Sequence, residues 1–571
     1  MLTRLLTASG VMMLMALLAA PLSQSMPAGA VAYAEMTGLG QKLQQLRDSD
    51  FFKTIMNSPQ MEEAKEQENY TKAMAGKAFA EGYLAMDLWT AADKLLSDMA
   101  VGVYFVEDGA DPAPLMVLRM KDQEVWAKTR ERLAPLVLLA GEKVKREVKG
   151  ELEYLTAENL QVVFHKEWAA ASTDAALLEK GIASLTGKAK ENVAANSSFQ
   201  KMEKSMGKGQ LLRVWSDLKY YRELIPGGRM NLPEKYDDGF VSLVLSGIME
   251  LALKSDYVGL TLDVDDKGLK LNAGIDGKAA ALGEKFGWFF SDPTKPGTKD
   301  VPAVKGLLGG MTIHRDIADW YDRREELMVE DLQAGFDQFE SGVGNLFPGR
   351  DVGQDIIPAF GKSITLLAAE QTFDHLDGAP GIKLPGFAVI FDLNNPEDGA
   401  MFQLLYQTVV TILNFAGAED GNNMREPSVM TALVHNGTPI NTVQYLKKPK
   451  GDRLDVTYNF MPASATVNGR YVFCSSLSLC KALVDQMKKP QDMKRANRNF
   501  NFELHPSAMV GLVKQNRRTL LAKSIQQGKP AVQARQEIKV LEDVLEFVKL
   551  IRFNTAVKPD GFQLQFNTQW N

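Results

Sequence analysis

An α+β fold in two related domains, each a mainly antiparallel sheet packed against long helices, is predicted by three observations. The chain has 571 residues, more than one ordinary core absorbs. A cassette of strand, turn, strand and capped helix occurs at residues 101–131 and again at 363–410. A closing hairpin also occurs twice, turned by Asp265-Asp266-Lys267-Gly268 and by Lys558-Pro559-Asp560-Gly561. Hydrophobic content of 45% and charged content of 24% are those of a folded globular chain. The formal net charge of −6 gives no basic field for nucleic acid.

The N-terminus has the order of a secretory leader. Arg4 supplies the positive region, Leu5–Ala20 (LLTASGVMMLMALLAA) the apolar run, and Ser23-Gln24-Ser25 a small-x-small cleavage site. A retained membrane anchor is the competing reading; the short run and the prompt Pro21 count against it. Cysteine is missing near the site, so an acylated lipoprotein is not supported. No later segment reaches the eighteen or so unbroken apolar residues of a spanning helix. The expected organisation is a signal peptide over 1–25, a first domain over 26–290, a linker over 291–305 and a second domain over 306–571. The expected location is periplasmic or extracellular.

The first domain opens with a strand in AGAVAYAEM, and Thr37 is placed to cap the next helix. Residues 71–97 read as one long helix with Tyr83, Leu84, Leu88, Leu95 and Leu96 on or near one face. In the cassette, Glu107-Asp108-Gly109 turns the hairpin and Asp122 caps a helix carrying Val125, Trp126, Leu133 and Val137. Pro135 is expected to kink or end that helix. ELEYLTA, LQVVFHKEW and WAAAST read as strands, and AALLEKGIASL as a helix. Residues 210–225 read as strand, short turn and helix, 240–253 as one apolar helix. Ser291–Lys305 is rich in Pro, Gly, Thr and Lys, the composition of a linker.

The second domain repeats the order. GMTIHRDIADWYDRREEL matches the opening strand and helix, and its helix is expected to run on to about Leu346 through Leu332, Phe336, Phe339 and Val343. Asn395 caps the cassette helix, with Pro396 in its first position and Glu397 and Asp398 at the positive dipole end. NTVQYLKK, RLDVTYNFMPASATV and RYVFC read as strands. NFELHPSAMVGLVKQN matches residues 210–225, and 534–553 reads as an amphipathic helix.

Cys474 and Cys480 are the only cysteines. Export permits a disulfide. Setting Ser475-Ser476 on Ser172-Thr173 places them opposite Ala171 and Leu177, so they read as two small core hydrophobes.

PAGAVAYAEMTGL and VVFHKEWAAASTDAALLEKGIASLTGKAKENVAANSSFQKM carry a resemblance. The chain resembles a family of exported bacterial proteins known as a domain of unknown function. The resemblance implies export and a repeated α+β fold, and it brings no activity or site.

Enzyme signatures are missing: there is no G-x-S-x-G elbow, H-E-x-x-H helix, P-loop or paired C-x-x-C. The five histidines are scattered singly, and His165 reads as a structural residue. Gly38-Leu39-Gly40 lacks the third glycine of a dinucleotide fingerprint and reads as a strand-to-helix turn. Two acidic loops offer oxygens to a hard cation: Asp374, His375 and Asp377, and Glu107, Asp108 and Asp111. Solvated hairpin turns explain both as well. Lys488, Lys489, Lys494, Arg495 and Arg498 form a basic cluster that an anionic glycan or lipid headgroup would suit, with a solvated surface as the plainer reading. Gly287-Trp288-Phe289-Phe290 is the densest aromatic patch and reads as packing. The expected function is that of a non-catalytic structural or interaction module of the cell envelope, without a cofactor. The alternatives are a carrier of an apolar or lipid ligand and a hydrolase with a non-signature site.

Overall fold

The computed structural model describes residues 21–571, apart from 50–51, 54–55, 58, 106–110, 140–143, 158–159, 208–210, 225–231, 266, 293–296, 348, 375, 420–427, 447–449 and 491–497. Arg4 and the apolar run to Ala20 therefore lie outside the described residues. The chain is mixed α+β and divides into two compact units. The first comprises Met1–Arg229, Ser255–Asp266 and Lys270–Asp276; the second comprises Met230–Lys254, Lys267–Leu269 and Gly277–Asn571.

The strands of the first unit are β1 (Ala32–Thr37), β2 (Leu96–Tyr104), β3 (Ala113–Met120), β4 (Val144–Lys149), β5 (Leu152–Ala157), β6 (Leu160–Phe164), β7 (Trp168–Ser172), β8 (Leu212–Asp217), β9 (Tyr257–Asp265) and β10 (Gly268–Ile275). They lie side by side as β4-β5-β6-β7-β3-β2-β1-β8-β9-β10, and every pair from β4 to β9 is antiparallel. Period-2 alternation gives the sheet two faces. On one face Tyr33, Leu115, Val117 and Trp215 pack against Leu177, Leu178 and Ile182 of helix α2 (Ala175–Leu185) and Phe199 and Met202 of α3 (Ser197–Met206). Each such large side chain contributes roughly 1.5–3 kcal/mol by leaving water. On the other face Trp126 of α1 (Gln123–Leu139) covers Met120, Ala169 and Phe164.

The second unit has β11 (Leu307–His314), β12 (Phe360–Ala369), β13 (Asp377–Pro380), β14 (Gly386–Leu393), β15 (Ser428–His435), β16 (Thr438–Tyr445), β17 (Lys450–Leu454), β18 (Ala463–Val467), β19 (Arg470–Cys474), β20 (Phe500–Leu504), β21 (Val548–Lys558) and β22 (Gly561–Trp570). The main sheet runs β15-β16-β18-β19-β14-β12-β11-β20-β21-β22, antiparallel throughout. β13 and β17 form a separate parallel pair. Leu479, Leu483, Val484 and Met487 of α5 (Leu477–Met487) pack on Ile390, Ile440 and Val472 of one face. Phe402 of α4 (Gly399–Glu419) packs on Phe391 and Tyr471 of the other.

The second face keeps a partly exposed apolar row across the middle of each sheet, although Phe473 and Val389 of the second row pack against the α4 clusters. In the first unit a cross-strand row runs Ala171, Met116, Val101, Ala34, Val214, Leu260. In the second it runs Phe473, Val389, Leu366, Met311, Phe502, Phe553, Phe566. All are apolar and none is fully buried; Met116 is 40% exposed and Leu366 39%.

Several expected elements differ. The helix over 71–97 is two, Glu68–Leu84 and Leu88–Leu95, because Ala85 turns left-handed and Asp87 caps a new start; Leu96 already belongs to β2. Thr37 is not the cap of the first helix, which starts after Gly38 in left-handed backbone. Gly40 is obligatory, since a Cβ there would stand 2.2 Å from the Ala92 carbonyl oxygen. The cassette helix continues past Pro135 to Leu139. Residues 240–253 break at Leu245 into two helices, and the helix after β11 breaks at Arg323 and Met328 into three. Residues 548–553 are strand, not the end of a helix.

Ser291–Lys305 is not a tether in its described part. Gly297, Thr298 and Lys299 are buried, and Val301 and Val304 enter the core of the second unit. Ser291 N–H donates to Asn499 Oδ1 at 2.8 Å, and Thr298 N–H to the Arg498 carbonyl at 3.0 Å. The division into units also departs from a linear boundary there, because Met230–Lys254 packs with the second unit. Trp288, Phe289 and Phe290 are buried within that unit against Trp320 and Phe562.

Cys474 and Cys480 are free, buried thiols between β19 and α5. Burial and the neighbouring Cys480 push the Cys474 thiol well above its ordinary range. Neither is expected to react with a thiol reagent at pH 8 in the native state, and both are expected to react in denaturant. Replacing both with Ala is expected to cost about 1–3 kcal/mol in total by urea denaturation, the cost of a small cavity.

Candidate functional site

The second unit holds a half-open cleft of about 610 Å³. It is built where β16, the segment before β18 and the start of α5 converge. Met461 bridges Ser476 in parallel, and its N–H donates to the Ser475 carbonyl at 2.8 Å. The Ser476 hydroxyl accepts from Leu479 N–H at 3.4 Å, which starts α5 and turns its first residues, with Lys481 one turn on, into the cleft. Tyr445 enters from β16 and is fixed by its hydroxyl donating to the Phe460 carbonyl at 2.8 Å. Asp374 lines the cleft from the loop before β13. One cation, one carboxylate and hydroxyls around Met461 and Leu477 suit a small amphipathic group. Among the described residues the hydroxyls of Ser476 and Ser478 meet each other at 3.4 Å and are bonded to no carboxylate or imidazole, and the Ser475 hydroxyl is occupied accepting from Phe387 N–H at 2.8 Å.

The predicted cation loops do not assemble. Glu107, Asp108 and His375 lie outside the described residues. Asp111 is exposed ahead of β3. Asp374 lines the cleft, while Asp377 belongs to β13 opposite Lys450. Among the described residues no three acidic, His or Cys side chains are grouped to hold a metal. The basic cluster does not converge either. Lys488 donates to the Asn436 carbonyl, Lys489 to Gln486 Oε1 at 2.8 Å, and Arg498 pairs with Asp300. Lys494 and Arg495 lie outside the described residues. His165 stacks on Trp168 at 5.0 Å between ring centres and accepts from Glu167 N–H, a structural role.

Sequence patterns missed one polar constellation. Glu35 of β1, 1% exposed, accepts from Leu22 N–H at 2.7 Å and from the Tyr33 hydroxyl at 3.0 Å. Arg213, its neighbour on β8, lies 3.8 Å from it and pairs with Glu203 of α3. Burial and Glu35 raise the Tyr33 phenol well above its ordinary range. The only hint in sequence is a Glu inside an apolar strand and an Arg inside another. Glu35 and Arg213 are internal to the core, so the pair orders the fold.

No family model matches the sequence, and no curated protein matches it. Among solved structures the chain is similar to TP0453 in crystal forms III, IV and I, at 10% identity and TM-scores of 0.24, 0.25 and 0.24. Those matches cover 45% of this chain and 78–80% of TP0453.

Arg213→Met is expected to destabilise the protein by about 3–5 kcal/mol, because it leaves the Glu35 carboxylate buried without a cation. Denaturant titration checks this; adding Glu35→Gln is expected to recover part of the loss.

Proposed function

We propose that the chain is a tandem duplication of one α+β domain, exported to the cell envelope, where it acts as a non-catalytic interaction module through the partly exposed apolar face of each sheet. The partly exposed apolar rows, most open at Met116 and Leu366, carry the reading. A soluble surface seldom keeps so continuous an apolar strip unless something docks there. Methionines at positions 36, 99 and 116 make the first strip adaptable. A carrier of an apolar or lipid ligand is the second reading, since a row crossing six strands spans roughly 24 Å at about 4.8 Å per strand.

The duplication rests on strand order and register. Both sheets follow one order, and elements match at a constant offset within each stretch. Continuing from β3 and β14, Asp122 falls on Asn395, and both cap the next helix. Continuing from β9 and β21, Lys267-Gly268 falls on Asp560-Gly561. The caps of α2 and α5, Asp174 and Ser476, match in the same way. The register sets Cys474 opposite Ser172 and Cys480 opposite Leu178, one residue on from the alignment by sequence, and both counterparts are buried.

The export reading gains a sharper cleavage position. Leu22 and Met26 are fully buried, Leu22 N–H serves Glu35, and the Met26 carbonyl accepts from Val193 N–H at 3.1 Å. Cutting after Ser25 would take Leu22 out of that core, which favours a cut that leaves Leu22 in the mature chain. N-terminal sequencing of envelope-purified protein is expected to start between residues 16 and 22; Met1 in a cytosolic fraction would overturn export. Native mass spectrometry of the same sample is expected to show a co-purifying partner or lipid. Met116→Asp with Leu366→Asp is expected to abolish that adduct while lowering the melting temperature by only a few degrees; an adduct that survives both changes removes the sheet faces as the working surface.

A further inference from the structure

The two units end their sheets differently. The outermost strand of the first, β4, reads Val-Lys-Arg-Glu-Val-Lys. Charges on an edge strand prevent another chain from adding to it. The corresponding outermost strand of the second, β15, reads Ser-Val-Met-Thr-Ala-Leu-Val-His and contains no Lys, Arg, Asp, Glu, Pro or Gly. Among the described residues it pairs in ladder with β16 alone, without a bulge.

The turn fixes which backbone groups face outward. Asn436 (φ 48°) and Gly437 (φ 69°) are both left-handed, the type I′ hairpin turn of two residues. The residues flanking such a turn, His435 and Thr438, exchange both hydrogen bonds, and bonded pairs then alternate. His435, Leu433, Thr431 and Val429 therefore bond to β16. Val434, Ala432 and Met430 direct N–H and C=O away from it. The same three carry exposed side chains on one face, Val434 at 73% and Met430 at 43%. The one titratable side chain of the strand, His435, is engaged by Asp485 at 2.9 Å.

We propose that β15 is a dimerisation strand that pairs antiparallel with β15 of a second copy of this chain. Self-pairing satisfies both edges and costs nothing in like-charge repulsion, because the strand is uncharged. Outward groups must meet outward groups, which places the two-fold axis at Ala432. Ala432 then faces Ala432 of the second copy, and Met430 faces Val434 twice, an isologous contact. One strand pair buries less than the roughly 1,000 Å² of a permanent interface, so the dimer is weak and reversible.

Sedimentation velocity of the purified protein is expected to show monomer–dimer exchange in the micromolar range. Val434→Lys, on an exposed side chain, is expected to weaken the dimer at least tenfold with an unchanged melting temperature. Ala432→Pro removes an outward N–H without touching the β16 ladder and is expected to do the same. In a Cys474→Ala/Cys480→Ala background, Ala432→Cys is expected to form an intermolecular disulfide, since bonded antiparallel pairs stand about 5.5 Å apart at Cα; Val148→Cys on β4 is not. A chain that stays monomeric throughout, or a dimer indifferent to both Val434→Lys and Ala432→Pro, overturns the proposal.

Discussion

A buried guanidinium organises the second unit. Arg315, 3% exposed, follows the end of β11 and has no carboxylate partner among the described residues. It donates to four carbonyls instead: Leu243 at 2.7 Å, Phe289 at 3.0 Å, His314 at 2.6 Å and Val244 at 3.2 Å. It also lies 3.7 Å over the Phe289 ring. Burial lowers its pKa to about 9, which leaves it charged at neutral pH. A planar fork of donors suits this task as an ammonium does not. Its acceptors come from the short helices around Leu245 and from the Trp288–Phe290 run, so one side chain gathers two segments onto the end of the central strand. The Trp288 carbonyl, accepting from Asp316 N–H, and Trp320, donating to Ser242, add to the same seam.

The central strands of the two sheets meet a second constraint in different ways. A polar residue points into each core. In the first unit it is Glu35, flanked by Ala100 and Arg213. In the second it is Thr312, flanked by Thr365 and Asn501, with the two threonine hydroxyls 3.0 Å apart. On the duplication reading these are one position solved twice, once with ions and once with neutral hydroxyls. The ionic solution carries the larger desolvation cost and needs a third group, the Leu22 N–H, to complete it. This ties the first described residues to the core, a coupling invisible to pattern reading because Leu22 looks like the tail of the apolar leader.

What was legible in sequence had a period or a turn. The cassettes, both closing hairpins and the Asp122 and Asn395 caps follow from alternation and turn chemistry. β4 was not legible, since its charges mask any alternation. β15 carried a strong signal in Asn436-Gly437, but its partly exposed apolar run fits no two-faced pattern. The Ser291–Lys305 composition misled because Pro, Gly and Thr also suit a segment that threads past buried backbone. Gly297 shows the reason: a Cβ there would stand 2.3 Å from the Arg498 carbonyl oxygen. For the candidate site, the acidic loops and the lysine cluster were visible only as composition. Their heads are spent on separate local partners, and the cleft arises from residues spread between Asp374 and Lys481 that no local pattern links.

Edges and faces weigh differently in a sheet. An uncovered face costs free energy in proportion to its apolar area, and its occupant need only be apolar. An uncovered edge presents directional donors and acceptors, so it selects a strand in one register. The first unit exposes an apolar face but guards its β4 edge with charge; the second exposes both the face and the β15 edge. If the halves began alike, charge was gained on one edge or kept off the other. On the proposed reading apolar partners would meet both faces and self-pairing would fall to the second unit alone; one uncharged open edge, the β15 edge among the described residues, closes at a dimer rather than growing into a fibre.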